Sequence, residues 1–531
     1  MQRLNFLLQV GVSTLKDRWR LFWLTRAVAR QGGGHGSQAP VVFFNASARI
    51  YGLSLNAAFQ LLAAWGLRLA GVRVVQFVCQ AGMSRCVLGT NRDDATQAPP
   101  CATCVAQSKR LYRQAEVAWF GYKDHPALVQ ALLGMTLDEL RSFEFEGVAY
   151  GSMVLPSLRW ILRRHHLPDS EANRFLMRQY ILSAYRVGQE FAALLDEIQP
   201  SAVVVFNGIM FPEAMARRAA QQRGIRVITH EVAFQPFSTF FTEGEATAYP
   251  IEIPEEFELS QEQHATLDRY LSKRLQGDFT MAGIRFWPEM HALDAALLQK
   301  IEDHEQLVPI FTNVIFDTSQ VHANTIFPHM FAWLDRIFEI IQAHPQTLFV
   351  IRAHPDEMRP DTQKAAREHV AGWVRDNKAA DLANVVFVGS DEYVSSYALI
   401  QRAKFVMIYN SSIGLEATLM SVPVLCGGQA RFTQYATVFY PHSEAAYQQQ
   451  AEAFLAAPAI AIPEEFMRNA RRFLYYQNWR TALSFEEFLQ SHPRKGFVQL
   501  KDFTVEQLKA EHAEAVQVIH DGIVNGGSFL V

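Results

Sequence analysis

The sequence predicts an α/β protein built from two Rossmann-like domains, each with a parallel sheet. Short apolar runs alternate with helical patterns in two separate parts of the chain, which is the pattern of repeated βαβ units. The length of 531 residues also exceeds what one hydrophobic core usually serves. With 49% hydrophobic and 19% charged residues, the composition is that of a well-packed globular protein.

The first series of elements follows RQGGGHGSQAP (30–40), which has the composition of a flexible linker. A strand at 40–47, a helix over 53–70 and a strand at 71–79 make one βαβ unit. The pattern returns as a strand at 200–208, a helix over 212–223 and a strand at 224–231. The intervening residues 106–198 are predicted to be a largely helical insertion.

The second series begins at about residue 307. Strands are predicted at 307–316, 347–355, 384–390, 404–412 and 422–428, and helices at 330–343, 362–377, 395–402 and 415–420. The predicted organisation is an N-terminal helix and linker (1–38), a first Rossmann-like domain (39–255), a linker (256–304), a second Rossmann-like domain (305–460) and a C-terminal helical tail (461–531). The amphipathic pattern in that tail predicts that it packs back across the domains.

Charge and hydropathy exclude several classes of protein. Lys+Arg 49 against Asp+Glu 53 gives a net charge of -4, so we expect no nucleic-acid partner. No run reaches the roughly 18–20 apolar residues of a membrane span, and no signal peptide is evident, so a cytoplasmic protein is expected. Trp19, Phe22 and Trp23 share a helical face among basic residues, which fits a peripheral contact with a membrane or assembly complex, or packing on the protein body.

A polar turn follows one strand of the second series, in FVMIYNSSIGLEATLMSVPVLC (405–426). The strand stops at Asn410, and the turn before the next helix contains Ser411, Ser412 and Gly414. Ligands of doubly wound sheets lie beyond the carboxyl ends of strands, and a helix N-terminus favours phosphate. Glu416 is placed to accept hydrogen bonds from ribose hydroxyls, or is simply an acid that complements the helix dipole.

A second strand end, VIRAHPDE (350–357), carries Arg352 and His354. A His-Pro pair alone is uninformative, since the chain has another at His344 and Pro345 that fits a plain helix terminus. Parallel strands bring their carboxyl ends to one edge of a sheet, so the two polar segments should meet. Together they predict one anion site for the phosphates of a nucleotide.

The order FTNVIFDTS, VIRAHPDE and YVSSYALIQRAKFVMIYNSSIGLEATLMSVPVL resembles the nucleotide-binding half of bacterial capsule-polysaccharide-biosynthesis proteins, glycosyltransferases of the GT-B fold. The resemblance covers roughly 305–430, and the segment at 204–231 is similar to the end of their acceptor domain. One departure is Ser421, where many GT-B proteins carry Gly before x-Pro-Val. The resemblance implies two parallel-sheet domains that face a cleft, with a nucleotide-sugar donor held by His354, Ser411, Ser412 and Glu416.

The resemblance leaves the donor and the reaction open. Pairing His-Pro with Ser-Ser also resembles sialyltransferases and Kdo transferases that use CMP-sugars, while UDP- and GDP-sugars remain alternatives. No Asp-x-Asp pair lies in a suitable loop, so no catalytic metal is expected, and Arg352 with the 411–415 turn would neutralise the leaving phosphate. The alternatives to transfer onto a surface polysaccharide or related glycan are a CDP-polyol phosphotransferase, a sugar-nucleotide epimerase and a non-catalytic binding subunit.

An inverting transfer needs a general base, which GT-B proteins usually supply from the N-terminal domain. THEVAF (229–234) predicts Glu231 as the first candidate and His230 as the second, both at a strand end. Asp317 in IFDTS is a third, from the second series. Each could instead be a polar residue that caps a loop.

Four of the five cysteines fall in one window: Cys79, Cys86, Cys101 and Cys104. Four thiols including a C-x2-C pair fit a structural zinc or iron-sulfur site that would order the polar, Pro-rich loop between them. Free thiols and redox pairs are the alternatives. Cys426 follows an apolar strand and is expected in the core.

Overall fold

The computed structural model describes residues 2–32, 39–46, 52–275, 290–358 and 365–531. Residues 33–38 of the predicted linker and 362–364 of a predicted helix lie outside this part of the chain. Contacts divide the chain into two units. The first unit contains residues 1–161, 167–247 and 478–531, and the second contains 162–166 and 248–477.

The strands, in chain order, are β1 (Val41–Asn45), β2 (Val74–Cys79), β3 (Glu116–Phe120), β4 (Ala202–Phe206), β5 (Arg226–Val232), β6 (Ser238–Thr242), β7 (Gln306–Phe311), β8 (Thr347–Arg352), β9 (Val385–Val388), β10 (Val406–Ile408), β11 (Val424–Cys426), β12 (Leu483–Ser484), β13 (Leu489–Ser491) and β14 (Val498–Leu500).

The α-helices are α1 (Gln2–Gln31), α2 (Leu55–Leu69), α3 (Cys101–Leu111), α4 (Pro126–Ala131), α5 (Leu137–Arg141), α6 (Tyr150–Leu162), α7 (Glu171–Ile198), α8 (Phe211–Gln221), α9 (Gln261–Leu275), α10 (Ala295–Glu302), α11 (Gln320–Ala323), α12 (Met330–Ala343), α13 (Val370–Asp376), α14 (Ser396–Ile400), α15 (Ile413–Leu419), α16 (Glu444–Ala456), α17 (Glu464–Tyr475) and α18 (Glu514–His520). None of these helices is both long and apolar enough to span a bilayer.

The sheet of the first unit has seven strands in the order β12-β6-β5-β4-β1-β2-β3. Strands β5, β4, β1, β2 and β3 are parallel, whereas β6 and β12 are antiparallel additions. All five residues of β1 are buried, which explains why its first four residues are apolar. The parallel strands follow the Rossmann order, and the chain switches direction between β1 and β4.

Three strands of this sheet were not predicted. The strand β3 lies in the stretch that the sequence predicted to be a largely helical insertion, and β6 forms an antiparallel hairpin with β5. The C-terminal tail was predicted to be helical, but it also supplies β12, β13 and β14. The apolar residues of the tail from Leu483 onward join the core of the first unit, together with Leu21, Leu24 and Val28 of α1, whereas residues 461–477 belong to the second unit.

The sheet of the second unit is entirely parallel, in the order β11-β10-β7-β8-β9. Its strands are apolar and mostly buried, as the sequence predicted, and α12 has the predicted bounds. The chain switches direction between β7 and β10, so a crevice is expected beyond their carboxyl ends. The predicted α/β class with two Rossmann-like units is therefore confirmed.

Candidate functional site

A pocket of about 120 Å³ opens at the carboxyl edge of the second sheet. Its walls come from the ends of β7 and β8 and from the turn after β10, which is the switch point of the sheet. Five of the predicted ligand residues line it: Arg352, His354, Ser411, Ser412 and Glu416. Apolar walls are provided by Met290, Phe311, Pro355 and Ile413. The structure thus brings the two polar segments together.

Arg352, the last residue of β8, is only 2% exposed although it carries a charge. Its Nη1 donates to the carbonyl oxygens of Gly389 at 2.5 Å and Ala353 at 3.2 Å. Its Nε and Nη2 are buried and have no hydrogen-bond partner among the described residues. Burial lowers the pKa of Arg352 to about 10, against the opposing effect of Glu392 and its neighbours. A buried cation with unused donors favours the binding of an anionic group beside it.

His354 is half-buried at the start of the loop after β8. Its Nδ1 accepts the backbone N–H of Asp356 at 3.1 Å. Because Nδ1 uses its lone pair in this bond, a neutral imidazole carries its proton on Nε2.

The turn after β10 is shorter than predicted, because α15 begins at Ile413. Ser411 is 7% exposed and Ser412 is exposed, so their hydroxyls lie at different depths of the pocket wall. Asn410 is a structural link, since its Oδ1 accepts hydrogen bonds from Asn313 at 2.7 Å and Gln320 at 3.0 Å. A Cβ on Gly414 would lie 2.3 Å from Cδ1 of Ile408, so a larger residue would require that buried side chain to move.

Glu416 is 5% exposed, and both of its carboxylate oxygens already accept hydrogen bonds. Arg274 donates to Oε1 at 2.5 Å and the hydroxyl of Tyr397 donates to Oε2 at 2.5 Å. Glu416 is therefore not simply an N-terminal helix acid. Arg274 and Tyr397 also line the pocket, and sequence reasoning missed both because neither follows a strand.

A cluster of polar side chains, Glu231 with Asn207 and Asn56, lies at the switch point of the first sheet. Glu231 accepts hydrogen bonds from Asn207 at 2.8 Å, from Asn56 at 3.4 Å and from the backbone N–H of Val232 at 2.8 Å. Asn207 follows β4 with φ of 60°, a left-handed conformation that Asn tolerates. Several amides therefore fix the carboxylate, and the asparagines were missed because single amides form no motif.

His230 and Glu231 do not end a strand, because β5 continues to Val232 and pairs with β6. His230 is fully buried, with its ring stacked on Phe241 at a centroid distance of 5.1 Å. Burial lowers its pKa to about 3, and neither ring nitrogen has a partner among the described residues. The surroundings of His230 are those of a core residue.

Asp317 lies in the loop after β7, six residues beyond the strand, and not at the predicted strand end. It is exposed, and its Oδ2 accepts the backbone N–H of Ser319 at 3.2 Å and the hydroxyl of Ser319 at 2.5 Å. This is the loop-capping role that the sequence left as the alternative.

Cys79, Cys86, Cys101 and Cys104 line one small pocket of the first unit. Burial raises the pKa of Cys79 to about 11 and that of Cys86 to about 12, and the neighbouring thiols act in the same direction. The five cysteines all lie in described parts of the chain, and none forms a disulfide. The four cysteines line the same pocket, but no three of their sulfur atoms lie as close together as a set of metal ligands. Cys426 is fully buried, in accord with the expected core position.

Residues 285–455 match the family model described as capsule polysaccharide biosynthesis protein, which confirms the predicted relationship for this part of the chain. No curated protein matches the chain. Among solved structures, the β-Kdo 2,4 transferase of Thermosulfurimonas dismutans KpsC is 10% identical, with a TM-score of 0.36, over 58% of this chain and 87% of its own. The β-Kdo 2,7 transferase of the same KpsC is 14% identical, with a TM-score of 0.32, over 63% and 89%. A sucrose-phosphate synthase from Thermosynechococcus elongatus is 12% identical, with a TM-score of 0.28, over 83% and 96%.

Proposed function

We propose that this protein is a glycosyltransferase that moves a sugar from a nucleotide-sugar donor to a surface polysaccharide or related glycan. The observation that carries the proposal is Arg352, a buried cation with two unused donor nitrogens on the wall of a pocket. A nucleotide phosphate would supply the missing acceptors. The family match over 285–455 supports the same reading.

The surrounding residues fit a nucleoside diphosphate or monophosphate. Arg352 and the Nε2–H of His354 would donate to phosphate oxygens, and the hydroxyls of Ser411 and Ser412 would add further hydrogen bonds. These donors would stabilise the charge that develops on the leaving phosphate. The apolar residues of the pocket would hold the base, and Glu416, held by Arg274 and Tyr397, would orient ribose hydroxyls.

A thermal-shift panel of CMP, CDP, UDP and GDP tests the pocket. At 100 times Kd, a bound nucleotide adds about 2.7 kcal/mol to folded-state stability, so we expect a midpoint rise of roughly 5–10 °C. Arg352→Met and His354→Ala should abolish that rise. Arg375→Met, at an exposed arginine of the same unit, should keep it. Stabilisation of none of the proteins, or equal stabilisation of all of them, would refute the nucleotide site.

Product analysis then separates the reaction classes. A glycosidic bond between donor sugar and glycan supports the proposal. A phosphodiester would instead indicate a polyol-phosphate transferase, and an altered sugar nucleotide formed without an acceptor would indicate an epimerase. A nucleotide sugar that binds and never turns over would indicate a binding subunit.

We propose Glu231 as the general base, ahead of His230 and Asp317. Its carboxylate is fixed by amides at the switch point of the first sheet, whereas His230 is buried and Asp317 caps a loop. Glu231→Gln preserves these shapes and should lower transfer about 10²- to 10⁴-fold without loss of nucleotide binding. His230→Phe is the matched control and should retain transfer. The opposite pattern would assign the role to His230.

We also propose that the four-cysteine pocket binds a structural zinc ion or iron-sulfur cluster. Binding of a metal ion would release the protons of these thiols despite their raised pKa values, and the sulfur atoms would have to move closer to one another. Metal analysis and the visible spectrum of anaerobically purified protein should show zinc or a coloured cluster. Cys101→Ser with Cys104→Ser should remove it, and Cys426→Ala should not.

The N-terminal helix is proposed to contact an anionic lipid surface. Leu15, Trp19 and Trp23 are 66%, 64% and 48% exposed, and basic side chains such as Lys16 and Arg18 lie beside them. Co-sedimentation with phosphatidylglycerol vesicles should exceed that with phosphatidylcholine, and Trp19→Ser with Trp23→Ser should abolish it. Tyr122→Ser, at an exposed aromatic elsewhere, should have no effect.

A further inference from the structure

Three histidine rings meet in the second unit, and none of them lines the nucleotide pocket. The ring centroids of His165, His166 and His329 lie 4.8 to 4.9 Å apart. One nitrogen from each ring lies within 4.8 Å of the other two. In the described ranges, no other set of His, Cys, Asp and Glu ligand atoms is grouped this way.

Glu368 holds two of these residues in place. Its Oε1 lies 2.5 Å from Nδ1 of His166, and its Oε2 accepts the backbone N–H groups of His165 at 2.7 Å and His166 at 2.9 Å. Burial acts to raise the pKa of Glu368, but these hydrogen bonds lower it overall. A carboxylate on the outer nitrogen of a histidine is the usual support of a metal-ligating imidazole, because it fixes the ring and its tautomer.

We propose that His165, His166 and His329 bind a divalent transition-metal ion, with zinc as the best fit, and that Glu368 orients His166. Imidazole nitrogen suits zinc, copper and nickel, and three protein ligands leave a fourth position for water or another ligand. The site would tie the segment 162–166 to the start of α12 within the second unit. It is independent of the proposed transfer reaction.

Metal binding requires a small rearrangement. Zinc–nitrogen bonds of about 2.0–2.1 Å place ligand atoms roughly 3.4 Å apart, so nitrogen atoms that lie up to 4.8 Å apart must approach by up to about 1.4 Å. His165 is 6% exposed and fixed, whereas the His166 side chain is 56% exposed and has room to turn. Nδ1 of His329 accepts the N–H of Ala332 at 3.1 Å, so metal binding through Nε2 would preserve this helix cap.

Zinc affinity of the full chain, measured by chelator competition, tests the proposal. Cys101→Ser with Cys104→Ser provides the background in which thiolates do not contribute. There, one zinc ion should bind, His166→Asn and His329→Asn should weaken it more than 100-fold, and Glu368→Gln by 10- to 100-fold. Asn at 329 keeps a helix cap. His512→Asn is the matched control, since that side chain is 55% exposed and also lies near a glutamate. Equal affinity in all of these proteins would overturn the proposal.

Histidine modification of the unaltered chain gives a second readout that needs no variant. Zinc should protect His166 from diethylpyrocarbonate, as located by peptide mass spectrometry, while His512 stays reactive. Modification of His166 at the same rate with and without zinc would overturn the proposal.

Discussion

Glu357 is a buried carboxyl group in the short helical turn that follows His354. It is 1% exposed, and its carboxyl oxygens accept only the backbone N–H of Val370, at 3.2 and 3.4 Å, among the hydrogen bonds of the described residues. Burial raises its pKa from 4.5 to about 8, and the hydrogen bond from Val370 opposes this in part. The folded protein therefore keeps this group protonated at neutral pH.

Stability should fall as pH rises through the window set by Glu357. Between about pH 4.5 and 8 the unfolded chain has lost this proton and the folded chain has kept it, so folding is favoured at the lower end. Across this pH window, Glu357 lowers the free energy of unfolding by at most roughly 5 kcal/mol. Glu357→Gln cannot ionise, so denaturant unfolding should show a flatter pH dependence in that variant.

Glu302→Gln, at an exposed glutamate of the same unit, should leave the pH profile of the parent protein unchanged. An unaltered slope in Glu357→Gln would show that other groups cause it.

Individual residues also show which features of the candidate site the sequence could not predict. The position of Arg352 and His354 beside the turn after β10 could be predicted, because strand-end polar residues in a parallel sheet meet at one edge. The unused donors of Arg352 depend on tertiary burial and could not be foreseen. His230 follows the same local pattern, but the hairpin of β5 with β6 places it in the core.

At the scale of elements, the turn from α15 to β11 shows why many GT-B proteins carry glycine at the position of Ser421. Ser421 has φ of 62°, and the N–H of Val422 bonds to the carbonyl of Ala417 at 3.0 Å, a left-handed helix end that normally favours glycine. A residue with a Cβ costs about 1–2 kcal/mol there, while glycine costs about 0.5–1 kcal/mol in unfolded-state entropy.

Ser421→Gly should therefore stabilise the second unit by up to about 1 kcal/mol, or roughly 2–4 °C in its unfolding midpoint. Calorimetry of the full chain measures this. Ser421→Ala keeps the Cβ and should give no gain. A lower midpoint for the glycine variant would mean that the Ser421 side chain stabilises the turn.

The elements themselves were predictable to different degrees. The parallel strands other than β3 are nearly continuous apolar runs and α12 has helical apolar periodicity, so the sequence predicted their positions. The strand β3 was missed because it is partly exposed, and β12 because it has only two residues; both pair with strands that are distant in sequence. The strand β6 is largely buried, but three of its five residues carry hydroxyl groups, so it does not form an apolar run. Such strands are specified by pairing and packing more than by local pattern.

At the scale of the whole molecule, the last 54 residues complete the core of the first unit, which begins some 450 residues earlier in the chain. Leu483, Phe485, Phe488 and Leu489 are at most 3% exposed and belong to the same cluster as β1 and α2. The first unit is therefore discontinuous, and no local sequence pattern could reveal this. Long-range packing decides which sheet a tail joins.

Deleting residues 478–531 should unfold the first unit and spare the second. Removing a continuous part of one core exposes the rest of that core, while the parallel sheet of the second unit loses no residue. Hydrogen exchange should show fast exchange in β1 and β4 and continued protection in β7 and β8. Phe485→Ala is the milder variant and should cost about 3–5 kcal/mol in the first unit alone. Protection of β1 in the truncated chain would mean that the first unit folds without its C-terminal segment, and the proposed dependence would be wrong.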